Sequence, residues 1–386
     1  MVSAVHPAGR TQRRSPATPV RIAARALLGA LAILSLLSGI AGGLWRAGIA
    51  LPDGRAFPWA GQWLLAHAAL MICGFFGTVI GIERAVALRH RAAFLAPLAS
   101  GAGALCLALG QQALGAWLCV VAAACFLAVG VVVVRRQAAP HTFLLLVGAL
   151  AWAVGSLLFA QGRAGHAVLP WWFAFLVLTI AAERLEMTRL MKRRPGAAAA
   201  LHAVLALLLL GAAWSGAAPR GGGLAYGAAL ALLAAWLAVF DVARRTVRTH
   251  GLARYMAVCL LGGYAWLGVA GVAWAATALG WPARDVALHA LGLGFVVGMV
   301  MGHAPVVLPA VARVKLAFGN FFYLAPAALH LSLLLRFAAG AFSQPLHAAG
   351  AAGNAATLGF FAATLAGAAL AWRWRHGTAG AGKTPR

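Results

Sequence analysis

Apolar runs long enough to cross a bilayer dominate this sequence. A membrane-spanning helix needs about 20 consecutive apolar residues, and such runs lie near residues 24–45, 61–84, 92–111, 114–134, 141–161, 167–188, 197–217, 222–240, 254–279, 285–311, 319–340 and 348–371. In hydrocarbon every backbone N–H and C=O must be satisfied within the chain, so runs of this length select helices. The expected fold is all-α, a polytopic membrane protein of about twelve transmembrane helices. It has a basic tail at 1–22, one membrane domain at 23–372 and a second tail at 373–386. Connections such as Gln111-Gln112-Ala113-Leu114-Gly115 are too short for a soluble domain and make successive helices antiparallel.

Charge placement tests this division. The net charge is +25, but nucleic-acid binding needs basic residues gathered on one solvated surface, and here they fall between apolar runs. Of the 31 Lys and Arg residues, all but six occupy the tails and alternate connections. Those six are Arg46, Arg55, Arg163, Arg220, Arg284 and Arg336, on the other set of connections. By the positive-inside rule both termini are expected in the cytoplasm, the chain resides in a bacterial inner membrane, and the bilayer is its first partner. The run from Ala24 to Gly43 follows too long a basic stretch for a signal peptide and reads as an uncleaved first helix. Trp59, Trp63, Trp171, Trp172 and Trp281 stand at helix ends, as interfacial anchors do. Cys73, Cys106, Cys119, Cys125 and Cys259 lie in apolar runs without C-x-x-C spacing, which excludes a thiolate zinc motif and makes them small core residues.

Polar groups at membrane depth are costly and need a partner or a purpose. His67 lies about six residues, roughly 9 Å, below the start of the second span, at about 1.5 Å per residue. His289 stands at similar depth on the tenth span, and His347 opens the twelfth on the same side. His303 follows His289 by fourteen residues, roughly 21 Å along an α-helix and only about 40° from whole turns, so the two are expected to face nearly the same way. Imidazole ligates haem iron, and Gly74, Gly77, Gly292, Gly294 and Gly298 either clear space for a flat macrocycle or serve helix packing. His67 with Met71, or His303 with Met299, offers a soft donor pair for copper. His330, mid-membrane on the eleventh span, is a candidate for an open coordination position or a proton relay. The segment Gly302-His303-Ala304-Pro305-Val306-Val307-Leu308-Pro309 is expected to break the helix and expose carbonyls to a wet cavity or a cofactor edge. Glu83-Arg84 and Glu183-Arg184 end the second and sixth spans, where a crossed ion pair or a proton entry is expected.

With twelve spans, His67-Ala68-Ala69-Leu70-Met71-Ile72-Cys73-Gly74-Phe75-Phe76-Gly77 on the second and His289-Ala290-Leu291-Gly292-Leu293-Gly294-Phe295 on the tenth, the chain resembles the NnrS family of haem- and copper-containing bacterial membrane proteins. More distantly it resembles the haem-copper oxidase catalytic subunit. The resemblance implies haem b held axially by His67 and His289, His303 or His330 at a second site, copper as a further cofactor, and a quinol or other redox partner. It also implies a role in nitric oxide or nitrosative stress. Counterparts of the oxidases' copper ligands on helices six and seven are missing, so dioxygen reduction is not implied. The competing expectation is a cofactor-free secondary transporter built around the segment from Gly302 to Pro309.

Overall fold

The computed structural model describes residues 19–50, 60–188, 195–312 and 314–377; Trp59, Arg55 and most of both basic tails lie outside them. Twelve helices are long and apolar enough to cross a membrane, and no strand occurs among the described residues. They are α1 Ala26–Arg46, α2 Gly61–Leu88, α3 Arg91–Ala108, α4 Gln112–Arg136, α5 Pro140–Ala160, α6 Gly165–Met187, α7 Ala197–Ser215, α8 Pro219–Phe240, α9 Gly251–Ala278, α10 Arg284–Ala312, α11 Asn320–Ala339 and α12 Gln344–His376. Their ends on one side carry most of the arginines. The other side is the arginine-poor face.

Tight turns on that face follow from glycine. Gly110, Gly162 and Gly280 take positive φ of 82°, 71° and 94° just past α3, α5 and α9, a conformation that costs a side-chain-bearing residue energy and stops an α-helix. Each therefore turns the chain back within a few residues. Neighbours in sequence pack as antiparallel pairs, while α6 also touches α2, α8 and α10, and α12 bridges α11 and α1. Burial follows this plan: 83% of the central window of α6 is buried, against 17% for α12. The bundle is organised around α6.

Between helices in lipid, dispersion contact replaces the hydrophobic effect as the main attraction, which favours small residues at crossings. At Gly42 a methyl group would run into the Trp63 carbonyl, so α1 and α2 meet backbone to backbone there. In the interior, Trp152 of α5 stacks on Phe175 of α6 at 4.9 Å and 11°, with Phe126 of α4 edge-on at 5.5 Å. The Trp152 indole N–H reaches Cys73 Sγ of α2 at 3.4 Å. Cys73, Cys119 and Cys259 are buried thiols, and all five cysteines are unbridged. Trp172, expected at an interface, is instead core, only 2% exposed; Trp281 is exposed at 69%.

Three membrane helices are interrupted by π-helical turns: Leu70–Phe76 in α2, Ala290–Val297 in α10 and Leu335–Ala339 in α11. The first two begin within three residues of His67 and His289. Such wide turns are rare and concentrate at functional sites.

Candidate functional site: a histidine-faced cavity within the bundle

His67 and His289 meet. Their ring centres are 6.2 Å apart with planes inclined at 29°, although the residues lie on helices α2 and α10. Each ring is oriented by its Nδ1. In His67 that N–H donates to the Gly39 carbonyl of α1 at 2.7 Å. In His289 it donates to the Asp285 carbonyl one turn back at 3.0 Å, with Asp285 Oδ1 also 3.0 Å away. Because those acceptors are oxygens, Nε2 is the nitrogen left with a free lone pair on each ring. Gly43 is required beside His67, since a methyl group at that position would sit 2.8 Å from the ring's Cε1.

The two imidazoles line one cavity of about 120 Å³. Its wall is otherwise apolar: Met71 and Phe76 from α2, Leu169 and Phe173 from α6, Leu293 from α10, and Leu358 from α12. One metal bond to each ring, about 2.0–2.1 Å long, spans a centre-to-centre distance of roughly 6 Å once the half-width of each ring is added. The observed separation of 6.2 Å is of that size.

One end of the cavity is polar. Arg336, only 6% exposed, grips Asp285 with both arms of its guanidinium, Nε to Oδ2 at 2.9 Å and Nη2 to Oδ1 at 2.6 Å. Paired charge-assisted bonds of this kind are strong and geometrically specific. His347 Nε2 donates to Asp285 Oδ2 at 3.1 Å, and Arg336 Nη1 reaches Asn354 Oδ1 at 3.4 Å. Asn354 in turn donates to Ser332 Oγ at 2.7 Å. Arg336 Nη2 also stands 3.4 Å from His289 Nε2, at the long limit of a hydrogen bond. Asp285 thus ties His289, His347 and Arg336 together on α10, α11 and α12. His347 does join the level of His289 as expected, through Asp285 and not through the ring pair. Sequence reasoning passed over Asp285 and counted Arg336 as a loop cation; the i, i+4 spacing of Asp285 and His289 was the available signal.

The other candidates are engaged elsewhere. His303 Nε2 accepts from Arg184 Nη1 at 3.1 Å and its Nδ1 donates to the Met299 carbonyl at 2.8 Å, so both ring nitrogens are used. Arg184 is itself paired with Asp241 at 3.0 Å, their side chains 3% and 1% exposed. His330 accepts from the Trp266 indole at 2.8 Å and packs against Gly262. Among the described residues no group of three or more His, Cys, Asp or Glu is placed to hold a metal ion. The crossed pair between the two Glu-Arg dipeptides is present, as Arg84 Nη2 to Glu183 Oε1 at 3.2 Å.

The expected break from Gly302 to Pro309 does not occur. Pro305 and Pro309 lie inside a continuous helical segment, Gly298–Ala312. Pro305 cannot bond the Met301 carbonyl, and the Tyr255 hydroxyl donates to that oxygen at 3.0 Å instead. Protein, not water, takes the freed acceptor. Of the glycines weighed for cofactor clearance, Gly292 lines the cavity. Gly74, Gly77 and Gly294 close on Ala104, Trp152 and Trp266 and serve packing.

A family model described as a domain of unknown function, DUF8744, matches residues 25–370, from the start of α1 into α12. The chain belongs to this family. No curated protein and no solved structure matches it. The family match covers His67, His289, Asp285, Arg336 and His347, so the whole polar and histidine constellation lies within the DUF8744 region.

Proposed function

We propose that this chain is a haem-binding integral membrane protein that holds one haem b between α2 and α10, with His67 and His289 as axial ligands. The nearness of these two rings carries the proposal: 6.2 Å between centres, an Nδ1 tied to a carbonyl on each, and a shared, mostly apolar cavity. Imidazole is an ordinary axial ligand, and an iron with two of them supplies one-electron transfer. The chain's own residues do the rest. Gly39 and Asp285 hold the ring tautomers, Gly43 admits the His67 ring, and the aliphatic and aromatic wall excludes water. Arg336 and Asn354 provide a polar edge for acidic substituents of a bound ring system. A membrane-soluble quinol or another redox protein is the matching class of partner. The cytoplasmic placement of both termini and residence in a bacterial inner membrane rest on the arginine distribution. A role in nitric oxide response rests on the likeness to the NnrS family alone.

The test is a reduced-minus-oxidised visible spectrum of the detergent-purified protein from haem-replete cells, with haem counted per chain. One low-spin b-type haem is expected. His67→Ala and His289→Ala each abolish the low-spin signal, while His303→Ala and His330→Ala keep it. A colourless wild type, or an unchanged spectrum in both outer variants, overturns the assignment.

A further inference from the structure

A second cavity, of about 250 Å³, opens between the ends of α6, α7, α8, α9 and α10 on the arginine-poor face. Three of its lining side chains are basic, His166, Arg220 and Arg284, and none is acidic. Ser215 and Thr277 add hydroxyls, and Trp274 closes the floor. All three basic side chains are exposed. None is hydrogen-bonded or ion-paired to a described residue.

Acid is scarce nearby. The chain has six carboxylates: Glu83, Glu183, Glu186 and Asp241 stand toward the other ends of α2, α6 and α8, and Asp285 is taken up by Arg336 and His347. Asp53 lies outside the described residues. The backbone adds to the same sign, because α6, α8 and α10 all begin at this cavity, and helix starts carry partial positive charge and unpaired N–H groups. The arginines also sit on the face where topology disfavours them. Two other arginines of that face are differently employed: Arg46 donates to the Leu64 carbonyl at 3.1 Å, and Arg336 is locked on Asp285. Arg220 and Arg284 instead converge on an open cavity.

We propose that this vestibule is a binding site for a compact phosphate-type oxyanion, held chiefly by Arg220 and Arg284 with His166 at the rim. Guanidinium forks match the oxygens of such a group, and the mixed wall below them, including Leu169, Leu288 and Trp274, leaves room for an attached apolar portion. Leu169 and Leu288 line both cavities, so a two-leucine partition separates the anion vestibule from the histidine-faced cavity. The vestibule assignment stands without the haem proposal.

The probe is inorganic phosphate, titrated calorimetrically into the delipidated, detergent-purified full chain in a phosphate-free, low-salt buffer. Saturable binding is expected, weakened about tenfold or more by Arg284→Gln and by Arg220→Gln, given the strength of charge-assisted bonds. Arg373→Gln, on the opposite face, serves as the control and keeps wild-type affinity. A second arm adds short-chain phosphatidylglycerol. Displacement of phosphate by the lipid identifies a headgroup as the source, and no displacement identifies a free anion; both support the site. Thermal unfolding of each variant confirms that it is folded. Failure of phosphate and phosphatidylglycerol alike to bind saturably, or equal binding by folded Arg220→Gln/Arg284→Gln protein, overturns the proposal. Neither readout involves haem.

Discussion

Replacing Asp241 by Asn tests how much of the bundle depends on its deepest ion pair. Arg184 Nε and Asp241 Oδ2 are 3.0 Å apart with side chains 3% and 1% exposed. Arg184 Nη1 continues to His303 at 3.1 Å, and Asp241 Oδ1 accepts the Ala243 backbone N–H at 2.8 Å. Asparagine preserves shape and one acceptor oxygen but leaves the guanidinium with no counter-charge in a dry interior. Breaking one partner of such a pair costs about 3–5 kcal/mol, whereas replacing both by apolar residues is often neutral. Asp241→Asn and Arg184→Met are each expected to lose stability in that range. The double variant Arg184→Met/Asp241→Leu should recover most of it, a strongly non-additive cycle. The assay is reversible unfolding in mixed detergent, with midpoint and slope fitted for the wild type and the three variants. Single variants within about 1 kcal/mol of wild type, or a double variant with the sum of the single losses, would refute the reasoning.

Three further outcomes follow from the geometry. Arg84→Met should cost no more than about 1 kcal/mol in the same unfolding assay, because its bond to Glu183 joins side chains 19% and 34% exposed, and solvent screens such pairs. On the proposed haem reading, Gly43→Val, which forces bulk against the His67 ring, should strip haem from a protein that still unfolds cooperatively, while Gly29→Ala, with nothing within 4 Å of the added methyl, should leave both unchanged. On the same reading, Asp285→Asn weakens the hydrogen bond that would make His289 a stronger donor, so the midpoint potential of the proposed haem should rise on redox titration, by about 30–60 mV on a scale of about 59 mV per tenfold change; an unchanged or lowered potential contradicts that role for Asp285.

The twelve spans were legible because a long apolar run has one solution in lipid, and alternating arginine placement fixed their number independently. The pairing of His67 with His289 was legible as matched depth, which requires only rise per residue and helix direction. The contacts of each ring were not legible. Fourteen residues of pure α-helix do not separate His289 from His303, because the π-helical turn at Ala290–Val297 intervenes. His289 lies against His67 of α2, and His303 against Arg184 of α6. Asp285 and Arg336 were hidden for another reason. Both stand near helix ends where charged residues usually contact water, and only the packing of α10, α11 and α12 shows that they face one another.

Those wide turns give the membrane helices a property that uniform α-helices lack. In a regular helix, rotating one end to bring a side chain to a new neighbour rotates the other end equally, so two sites on one span are geared together. A turn holding one additional residue breaks the gearing. On α10 the cavity end and the Arg184 end can each settle against its own partner, and α2 has the same freedom below His67. Deleting one residue from Ala290–Val297 would restore the gearing and place His289 and His303 in competition for a single helix orientation.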